Sequence, residues 1–297
     1  MVIKYVDNKN LNDKFKQAGL KAEKQMAHYL NRAFSKSEDI IVLNDIRLQE
    51  GTEFAQIDHL IIHTFGFIII ESKSVSSKIV INSNVEWKRV FNNQEKGMPS
   101  PIEQAKRQAS FLKNFLEENA KHVFRNNFVN KFLKKPTFKH YSFDILVAIS
   151  DNGIIEREGI DLPNLFKADA IPDAISKLIT KNKNDFKQSL INPFSADIHS
   201  FHSETIKDIG ERLCNIHTPF HKDKETYQCS KCKSIHIQIN GGRYGYYFKC
   251  IDCANNTPIK HTCNTLNCKP KTRKSKLQFF KVCEACNIDE LFWENKP

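Results

Sequence analysis

Two acidic residues and a lysine interrupt an otherwise apolar, strand-forming segment near residue 60. Residues 54–74 read FAQIDHLIIHTFGFIIIESKS and contain Asp58, Glu71 and Lys73. The near-continuous Ile, Leu and Phe runs on either side are typical of strands that are covered on both faces. Buried charges are costly unless they pair or bind a metal. Two carboxylates beside a lysine could therefore hold a divalent cation and position the water that it activates.

The spacing of these residues predicts a β-hairpin that brings them together. A turn at residues 64–66 would set Asp58 opposite Glu71, or within a residue or two of it. Glu71 and Lys73 are two residues apart, so they share one face of their strand. The alternative is a simple ion-paired hairpin whose polar face lies in solvent.

A helix is expected before the hairpin, over residues 11–34. Its apolar stripe comprises Phe15, Ala22, Met26, Leu30 and Ala33. Gly19 and Glu23 fall on the same stripe, four residues apart. An inward carboxylate needs a metal or a lysine as its partner. The alternative is a surface glutamate paired with Lys16 or Lys24.

A second helix start follows the hairpin. Ser100 is a suitable N-cap, Pro101 fits the first helical position, and Glu103 can close a capping box. Gln104 then lies in the first turn. A neutral amide near a helix N-terminus suits a contact with phosphate or water.

The order of these features carries a family resemblance. The pattern I-D-x12-E-x-K, preceded by G-x-x-A-E at residues 19–23 and followed by Gln104, resembles the nuclease-related domain, NERD, of the PD-(D/E)xK nuclease superfamily. The resemblance covers about residues 12–120. Ile57 stands where the superfamily name has proline, and this difference removes no ligand.

The resemblance implies an α/β fold with a PD-(D/E)xK-type, restriction-endonuclease-like core, in which helices flank a mixed central sheet. It implies phosphodiester hydrolysis that depends on Mg²⁺ or Mn²⁺, yielding a 5′-phosphate and a 3′-hydroxyl. The implied metal ligands are Asp58, Glu71 and the backbone carbonyl of Ser72. Lys73 would be the catalytic amine, with Glu23 and Gln104 assisting.

Eight of the nine cysteines form two sets of four near the C-terminus. The first set is Cys229, Cys232, Cys250 and Cys253, and the second is Cys263, Cys268, Cys283 and Cys286. Their C-x2-C-x17-C-x2-C and C-x4-C-x14-C-x2-C spacings predict two structural Zn²⁺ sites. Disulfides are the competing interpretation, and His217 and His221 are alternative zinc ligands.

Hairpin-forming sequence lies between the cysteine pairs. Residues 235–239 alternate Ile with polar residues and run into Gly241-Gly242, and Phe279-Phe280 leads into Cys283. Both modules resemble the small zinc ribbons of type I topoisomerases, which bind DNA. The Pro and Gly usual beside the knuckle cysteines are replaced here, so only the architecture is carried over.

The surfaces of the two predicted ribbons are basic and aromatic. Residues expected to contact nucleic acid are Arg243, Tyr244, Tyr246, Lys249, Lys269, Lys271, Arg273, Lys274 and Lys276. Cations can neutralise phosphates, and rings can stack on exposed bases. The alternative is that the rings form the ribbons' own small cores and the lysines are solvated.

Composition agrees with a nucleic-acid partner but does not decide between DNA and RNA; the resemblance to the DNA-binding topoisomerase ribbons favours DNA. The 297 residues carry 45 Lys and Arg against 34 Asp and Glu, a formal net charge of +11. No membrane span is expected, and the polar N-terminus predicts a cytoplasmic protein. The expected domains are a NERD-type nuclease domain at 1–221, with a motif core at about 12–120 and an extension to 217, and zinc ribbons at 222–257 and 258–297.

Two other functions remain open. The nuclease core could be an inactive nucleic-acid-binding or sensing domain, although all the expected residues are present. The ribbons could instead bind a protein such as an RNA polymerase subunit. The choice between endonuclease and exonuclease stays open as well.

Overall fold

The computed structural model describes residues 1–7, 13–51, 53–124, 137–192, 199–218, 227–261, 268, 270–284 and 288–295. The chain divides into two units, Met1–Pro219 and Phe220–Pro297, called unit 1 and unit 2 here. Cys263, Lys269, Cys286 and His221, all named above, lie outside the described residues. No helix within the described ranges is long and apolar enough to span a membrane.

Unit 1 alternates strands and helices. Its elements are β1 (Val2–Lys4), α1 (Lys14–Phe34), β2 (Ile40–Glu50), β3 (Glu53–His63), β4 (Gly66–Lys73), β5 (Lys78–Ile81), β6 (Trp87–Phe91), β7 (Gln94–Met98), α2 (Pro101–Glu118), α3 (Ala120–Val123), β8 (Ser142–Ile149), β9 (Ile154–Arg157), β10 (Leu165–Lys167), α4 (Ile171–Ile191) and α5 (Ser203–Ile216). The expected α/β class is confirmed.

The central sheet is mixed, as expected. Its strand order is β1-β2-β3-β4-β8-β10. Strands β2, β3 and β4 are antiparallel neighbours, whereas β8 runs parallel to β4 and β10 parallel to β8. A smaller sheet has the order β7-β6-β5-β9. Strands β5 to β7 lie in the sequence between β4, which carries Lys73, and α2, which carries Gln104.

Each face of the central sheet has its own apolar core. One core joins alternate sheet residues such as Leu60, Ile62 and Ile69 to α2 and α5. The other joins Ile61 and Ile70 to α1 and α4. Burial on both faces explains why β3 and β4 have continuous apolar sequence and little alternation.

Gly66 permits the tight hairpin between β3 and β4. Its φ is +151°, and a Cβ at this position would overlap the carbonyl oxygen of Ser142 at the start of β8. Only glycine fits so close an approach of two backbones. The turn therefore lets β8 lie directly beside β4.

The expected helices are present, with differences at their ends. The first helix begins at Lys14, and Ala22, Met26 and Leu30 are buried on it. Phe15 and Ala33, expected on the same stripe, are exposed. Phe15 lies in the first turn and is 83% exposed, because the buried part of the helix begins at Ala22, about two turns later.

Ser100 caps the second helix by accepting a bond from the N–H of Glu103, with Pro101 in the first turn. The carboxylate of Glu103 pairs with Lys106 at 2.7 Å. Gln104 is therefore in the first turn, as expected. Strand β8 extends the central sheet beyond β4.

Unit 2 contains two three-stranded antiparallel sheets. They are β11 (Ile237–Gly242), β12 (Gly245–Cys250) and β13 (Asn256–Pro258), then β14 (Lys271–Ser275), β15 (Gln278–Cys283) and β16 (Ile288–Glu294). One apolar cluster joins them, with Ile239 and Phe248 from the first sheet and Phe279 from the second. Asn295 bonds both the N–H and the carbonyl of Ile239, at 2.8 and 2.9 Å. The two small sheets therefore share a core.

Candidate functional site

The candidate site lies where the pairing of β3 with β4 ends. The register of this pair ends at His59 opposite Ile70, and one further step would set Asp58 opposite Glu71. Strand β4 continues beside β8, with Lys73 opposite Ile149. Beyond Ile70 the backbone ladder of β4 therefore continues with β8 alone, and Asp58 and Glu71 lie just past the end of the β3–β4 ladder.

An irregularity in the neighbouring pair shapes this end of β3. Asp45 has a φ of +53°, which few residues other than glycine tolerate. The register of β2 and β3 resumes on either side, at Asn44 with His59 and at Ile46 with Ile57. Because Ile57 and Leu60 are three apart yet face the same core, the alternation of β3 is broken at Asp58.

Glu71 is 2% exposed, and both of its carboxylate oxygens accept hydrogen bonds. Oε1 accepts from the Lys73 ammonium at 2.5 Å, and Oε2 accepts from the Gln108 amide at 2.8 Å. These two donors compensate for the loss of water around a buried charge. The carboxylate is thereby held in one orientation.

Lys73 links the strand to helix α2. Its Nζ also donates to Oε1 of Gln104 at 2.9 Å. Two of the three ammonium hydrogens are used in these bonds to Glu71 and Gln104. The third can donate to a phosphate oxygen or to a water molecule in the open part of the site.

Asp58 accepts a hydrogen bond from the backbone N–H of Ser72, at 2.8 Å from Oδ2. The pKa of Asp58 is raised well above its usual range, chiefly by burial and then by repulsion from Glu71 and Glu23. The Ser72 N–H and the charge of Lys73 lower the pKa without offsetting this rise. Glu23, expected on the inner side of α1, is therefore close enough to Asp58 to act on its ionisation.

Gln108 is a site residue that the sequence analysis missed. It is 7% exposed, and its amide nitrogen donates to Glu71 and to the carbonyl of Gln56, at 2.8 and 2.9 Å. A signal for it was present in the sequence. Gln108 is four residues after Gln104, so the two amides share one face of α2.

The residues at this site suit a hard divalent cation. Carboxylate and carbonyl oxygens are the ligands that Mg²⁺ prefers. In the described parts of the chain, however, the carboxylates of Glu23, Asp58 and Glu71 do not all lie within 4.8 Å of one another, whereas the sulfur atoms of four cysteines do. Glu71 is instead bound by Lys73 and Gln108. Cation binding at Oε1 would therefore displace the Lys73 ammonium towards Gln104.

Unit 2 carries the converging cysteines, namely Cys229, Cys232, Cys250 and Cys253. Opposed pairs of sulfur atoms are 3.5 and 3.6 Å apart. Four thiolates at about 2.3 Å from a tetrahedral zinc would lie roughly 3.8 Å from one another. Backbone N–H groups, foremost that of Cys232, lower the pKa of Cys229 to about 6, whereas hydrogen bonds with the neighbouring thiols raise the pKa of Cys232 to about 12. This cluster is compatible with a structural zinc site.

The second cysteine set is only partly described. Cys268 and Cys283 are within the described residues, and Cys283 is buried at the end of β15. His217, one of the alternative ligands, belongs to unit 1. Its ring accepts a bond from the N–H of Arg47 at 3.0 Å and lies 3.1 Å from Asp7.

The predicted nucleic-acid contacts of unit 2 differ in how they are held. Tyr244 is 94% exposed at the hairpin tip, 5.6 Å from the Arg243 guanidinium. The Tyr246 ring packs edge-on against the Phe279 ring at 5.4 Å between centroids. The Lys274 ammonium lies 5.7 Å from the centroid of the Phe279 ring. Side chains of β12 and β14 therefore meet at Phe279, which is 1% exposed.

The remaining basic residues fall into two groups. Arg273 forms a two-oxygen ion pair with Asp289, at 2.7 and 2.9 Å, and stacks on Phe280. Lys271 and Lys276 are exposed, and Lys249 is half-buried. Arg273 is thus held by its own unit more firmly than its neighbours.

Comparison with known families agrees with the geometry of unit 1. Residues 18–153 match the family model of NERD, the nuclease-related domain. The predicted resemblance is confirmed over this range, which contains Glu23, Asp58, Glu71, Lys73 and Gln104. No curated protein and no solved structure matches the chain. The family match supports a nuclease-like function.

The first prediction concerns the pH dependence of stability. Since the folded protein holds a proton on Asp58 more tightly than the unfolded chain, the unfolding free energy should fall as pH rises from about 4 through the raised pKa. Asp58→Asn should remove this fall. Without divalent metal, the variant should gain on the order of 1 kcal/mol over wild type at pH 8 and nothing near pH 4. Urea denaturation at several pH values measures both.

Glu103→Gln, which changes an exposed acid of the same unit, serves as the control and should show no such gain. An Asp58→Asn variant whose stability falls with pH as steeply as that of wild type would contradict the raised pKa.

The second prediction concerns zinc. We expect two zinc ions per chain by elemental analysis, and one in Cys250→Ser, because a three-thiolate site loses affinity. Zinc contributes roughly 10 to 16 kcal/mol to such modules, so chelation should unfold unit 2 while unit 1 stays folded.

Cys214→Ser is the matched control, because Cys214 packs against the core of unit 1. This variant should keep both ions. Disulfides in place of zinc, or no metal after purification under reducing conditions, would refute the zinc assignment.

Proposed function

Starting from the nuclease-related domain at residues 18–153, we propose that the protein is a metal-dependent nuclease that hydrolyses phosphodiester bonds in DNA. The observation that carries the proposal is the Lys73 ammonium, which bridges Glu71 and Gln104 beside Asp58. A buried carboxylate, an amine and an amide meet here just past the end of the β3–β4 ladder. Unit 1 would perform the chemistry, within a core of the PD-(D/E)xK type.

Asp58, Glu71 and the backbone carbonyl of Ser72 are the groups that would hold Mg²⁺ or Mn²⁺, with Glu23 acting directly or through water. When bound, the cation would lower the pKa of a water ligand and offset phosphate charge. Gln108 would keep Glu71 oriented, because its amide already fixes Oε2. The protein's own contribution is thus a set of oxygens whose directions are fixed before metal binds.

Lys73 would orient the attacking water and stabilise the negative charge that develops on the phosphate. Its remaining N–H is free to do so while Gln104 holds the ammonium in place. The water oxygen forms a bond to phosphorus and releases a proton to solvent, while the bond from phosphorus to the 3′ oxygen breaks and that oxygen takes up a proton from solvent. The products are a 5′-phosphate and a 3′-hydroxyl.

Unit 2 would hold the nucleic acid through two zinc ribbons. The support is a set of exposed cations, Arg243, Lys271, Lys274 and Lys276, together with Tyr244, which is 94% exposed at the hairpin tip. Exposed cations would bind phosphates, and Tyr244 would stack on a base. Tyr246 would contribute mainly to the core of unit 2, because its ring packs against Phe279, which is 1% exposed.

A second candidate is a nucleic-acid-binding or sensing protein without cleavage. The observation that favours it is that both oxygens of Glu71 already bind protein donors, Lys73 and Gln108. Under this alternative, the ion pair would be the functional state and no cation would enter. Purified full-length protein, incubated with circular and linear DNA, single- and double-stranded, with and without Mg²⁺, separates the two candidates.

The third prediction concerns cleavage. Replacing Asp58 or Glu71 by Ala should lower Mg²⁺-dependent cleavage by more than about 100-fold, because loss of a ligand exceeds the usual outer-shell effect. Lys73→Ala should abolish cleavage with a smaller loss of Mg²⁺ affinity. Gel assays of cleavage and calorimetric titration of Mg²⁺ measure the two effects separately.

Glu103→Gln, one residue before Gln104 but exposed, should cleave as wild type does. Activity of Asp58→Ala within about tenfold of wild type would disprove the site assignment. Equal loss of Mg²⁺ binding in Lys73→Ala would mean that this lysine is structural.

The fourth prediction concerns salt. Changing four exposed cations of unit 2 to Gln, namely Arg243, Lys271, Lys274 and Lys276, should weaken DNA binding. It should also lower the slope of log affinity against log salt by about 3 to 4 units, because each phosphate contact contributes about 0.9. The cleavage rate at saturating DNA should stay nearly unchanged.

Arg273→Gln is the matched single change and should alter the slope less than Lys271→Gln, because Asp289 already holds Arg273. If the fourfold variant keeps both its affinity and its salt slope, unit 2 does not hold nucleic acid. A protein partner for the ribbons would then be the favoured alternative.

A further inference from the structure

A chain of three buried polar side chains connects β2, β3 and β4 beside the candidate site. Asn44, His59 and Ser72 are 1%, 0% and 9% exposed. Asn44 Oδ1 lies 2.7 Å from His59 Nδ1, and His59 Nε2 lies 3.1 Å from Ser72 Oγ. Buried polar groups need hydrogen-bond partners. Asn44 and His59 each have a partner on both sides, and the chain ends at the Ser72 hydroxyl, which can rotate.

The direction of every hydrogen bond in this chain is determined. The amide nitrogen of Asn44 donates to the backbone carbonyl of Lys4 at 2.9 Å, and a carbonyl can only accept. The Asn44 oxygen must therefore face His59 and accept from Nδ1–H. In a neutral, fully buried ring, Nε2 is then the acceptor, so the Ser72 hydroxyl donates to it.

Ser72 is thereby held by two consecutive residues of β3. Its hydroxyl donates to His59, and its backbone N–H donates to Asp58 Oδ2 at 2.8 Å. The regular pairing of β3 with β4 stops at His59, so no further ladder bond fixes Ser72 on this side. The hydrogen bond between the Ser72 hydroxyl and the His59 ring therefore holds β4 against β3 beyond the end of the backbone ladder.

We infer that His59 is a positioning residue, which with Asn44 fixes Ser72 so that its N–H stays on Asp58 and its carbonyl keeps one direction. The role of the carbonyl rests on the proposed function, in which it binds the cation. The role of the N–H does not, because that bond is present without a cation.

A second buried histidine on the same strand shows that such a role is not general. His63 is also 0% exposed, but its Nδ1 accepts from the backbone N–H of Phe65, two residues on. This bond is local to the hairpin turn. His59, in contrast, bonds across two strands to Asn44 and Ser72.

Ser72→Ala in the full-length protein tests this inference, with Ser72→Thr as the rescue. Asn182→Ala is the control, since Asn182 is 6% exposed and binds Ser142 and Asp144 at the opposite end of β8. The measurement is the hydrogen exchange of the residue 72 amide by NMR without metal, as a protection factor. Ser72→Ala should lower protection about tenfold, and Ser72→Thr should restore it.

Asn182→Ala should lose stability without changing protection at residue 72. The His59 ring should carry its proton on Nδ1 by nitrogen-15 NMR. Protection changed by less than about twofold in Ser72→Ala, or a proton on Nε2, would overturn the inference.

A Mg²⁺ titration of the same variants separates this inference from the proposed function. Ser72→Ala should bind Mg²⁺ about tenfold more weakly than wild type, and Asn182→Ala should bind it equally well. Unchanged Mg²⁺ affinity in Ser72→Ala would overturn the role of the carbonyl. A wild-type protein that neither binds Mg²⁺ nor cleaves DNA would refute the proposed function, while the exchange data would still decide the role of the N–H.

Discussion

The burial of the Glu71 carboxylate is the constraint to which the rest of unit 1 is fitted. A charge that is 2% exposed must be compensated by nearby donors, and these are Lys73 and Gln108. Lys73 comes from the same strand, whereas Gln108 comes from α2, so helix α2 has to lie over the end of β4. Removing either donor would leave a buried charge partly unpaired. The same requirement explains why Gln104 faces Lys73 from the preceding turn of the helix.

The Asp58 carboxylate is repelled by Glu71 and Glu23, and the Ser72 N–H and the Lys73 charge do not offset this repulsion together with the cost of burial. Its raised pKa means that metal-free unit 1 keeps a carboxyl in an unfavourable place, next to Glu71 and Glu23. Structures tolerate such an arrangement where function needs it, and groups with perturbed pKa values cluster at functional sites. A divalent cation would reverse the sign of the interaction, since carboxylates that repel each other would both attract it. The irregular φ of Asp45 belongs to the same arrangement, because it breaks the alternation of β3 at Asp58.

Much of this site could be predicted from local sequence. The hairpin, the shared face of Glu71 and Lys73, and the start of α2 all follow from short-range periodicity and capping. Two parts could not. The bond from Gln108 to Glu71 spans 37 residues, and Asn44 meets His59 only because β2 pairs with β3 around an irregular residue. The irregular backbone at Asp45 and the position of α2 over the end of β4 depend on tertiary contacts that no local pattern encodes. The prediction that Phe15 is buried was wrong for a related reason: the apolar stripe of a helix does not show where the sheet beneath the helix begins.

Binding of a divalent cation between Asp58 and Glu71 is the central claim, and anomalous scattering tests it most directly. Crystals of the full-length protein soaked in Mn²⁺ should give an anomalous peak about 2.0 to 2.6 Å from one oxygen of each carboxylate. The Lys73 ammonium should then have left Glu71 Oε1 while keeping its bond to Gln104. A map without a peak at this site, in which Lys73 still lies 2.5 Å from Glu71, would contradict the account.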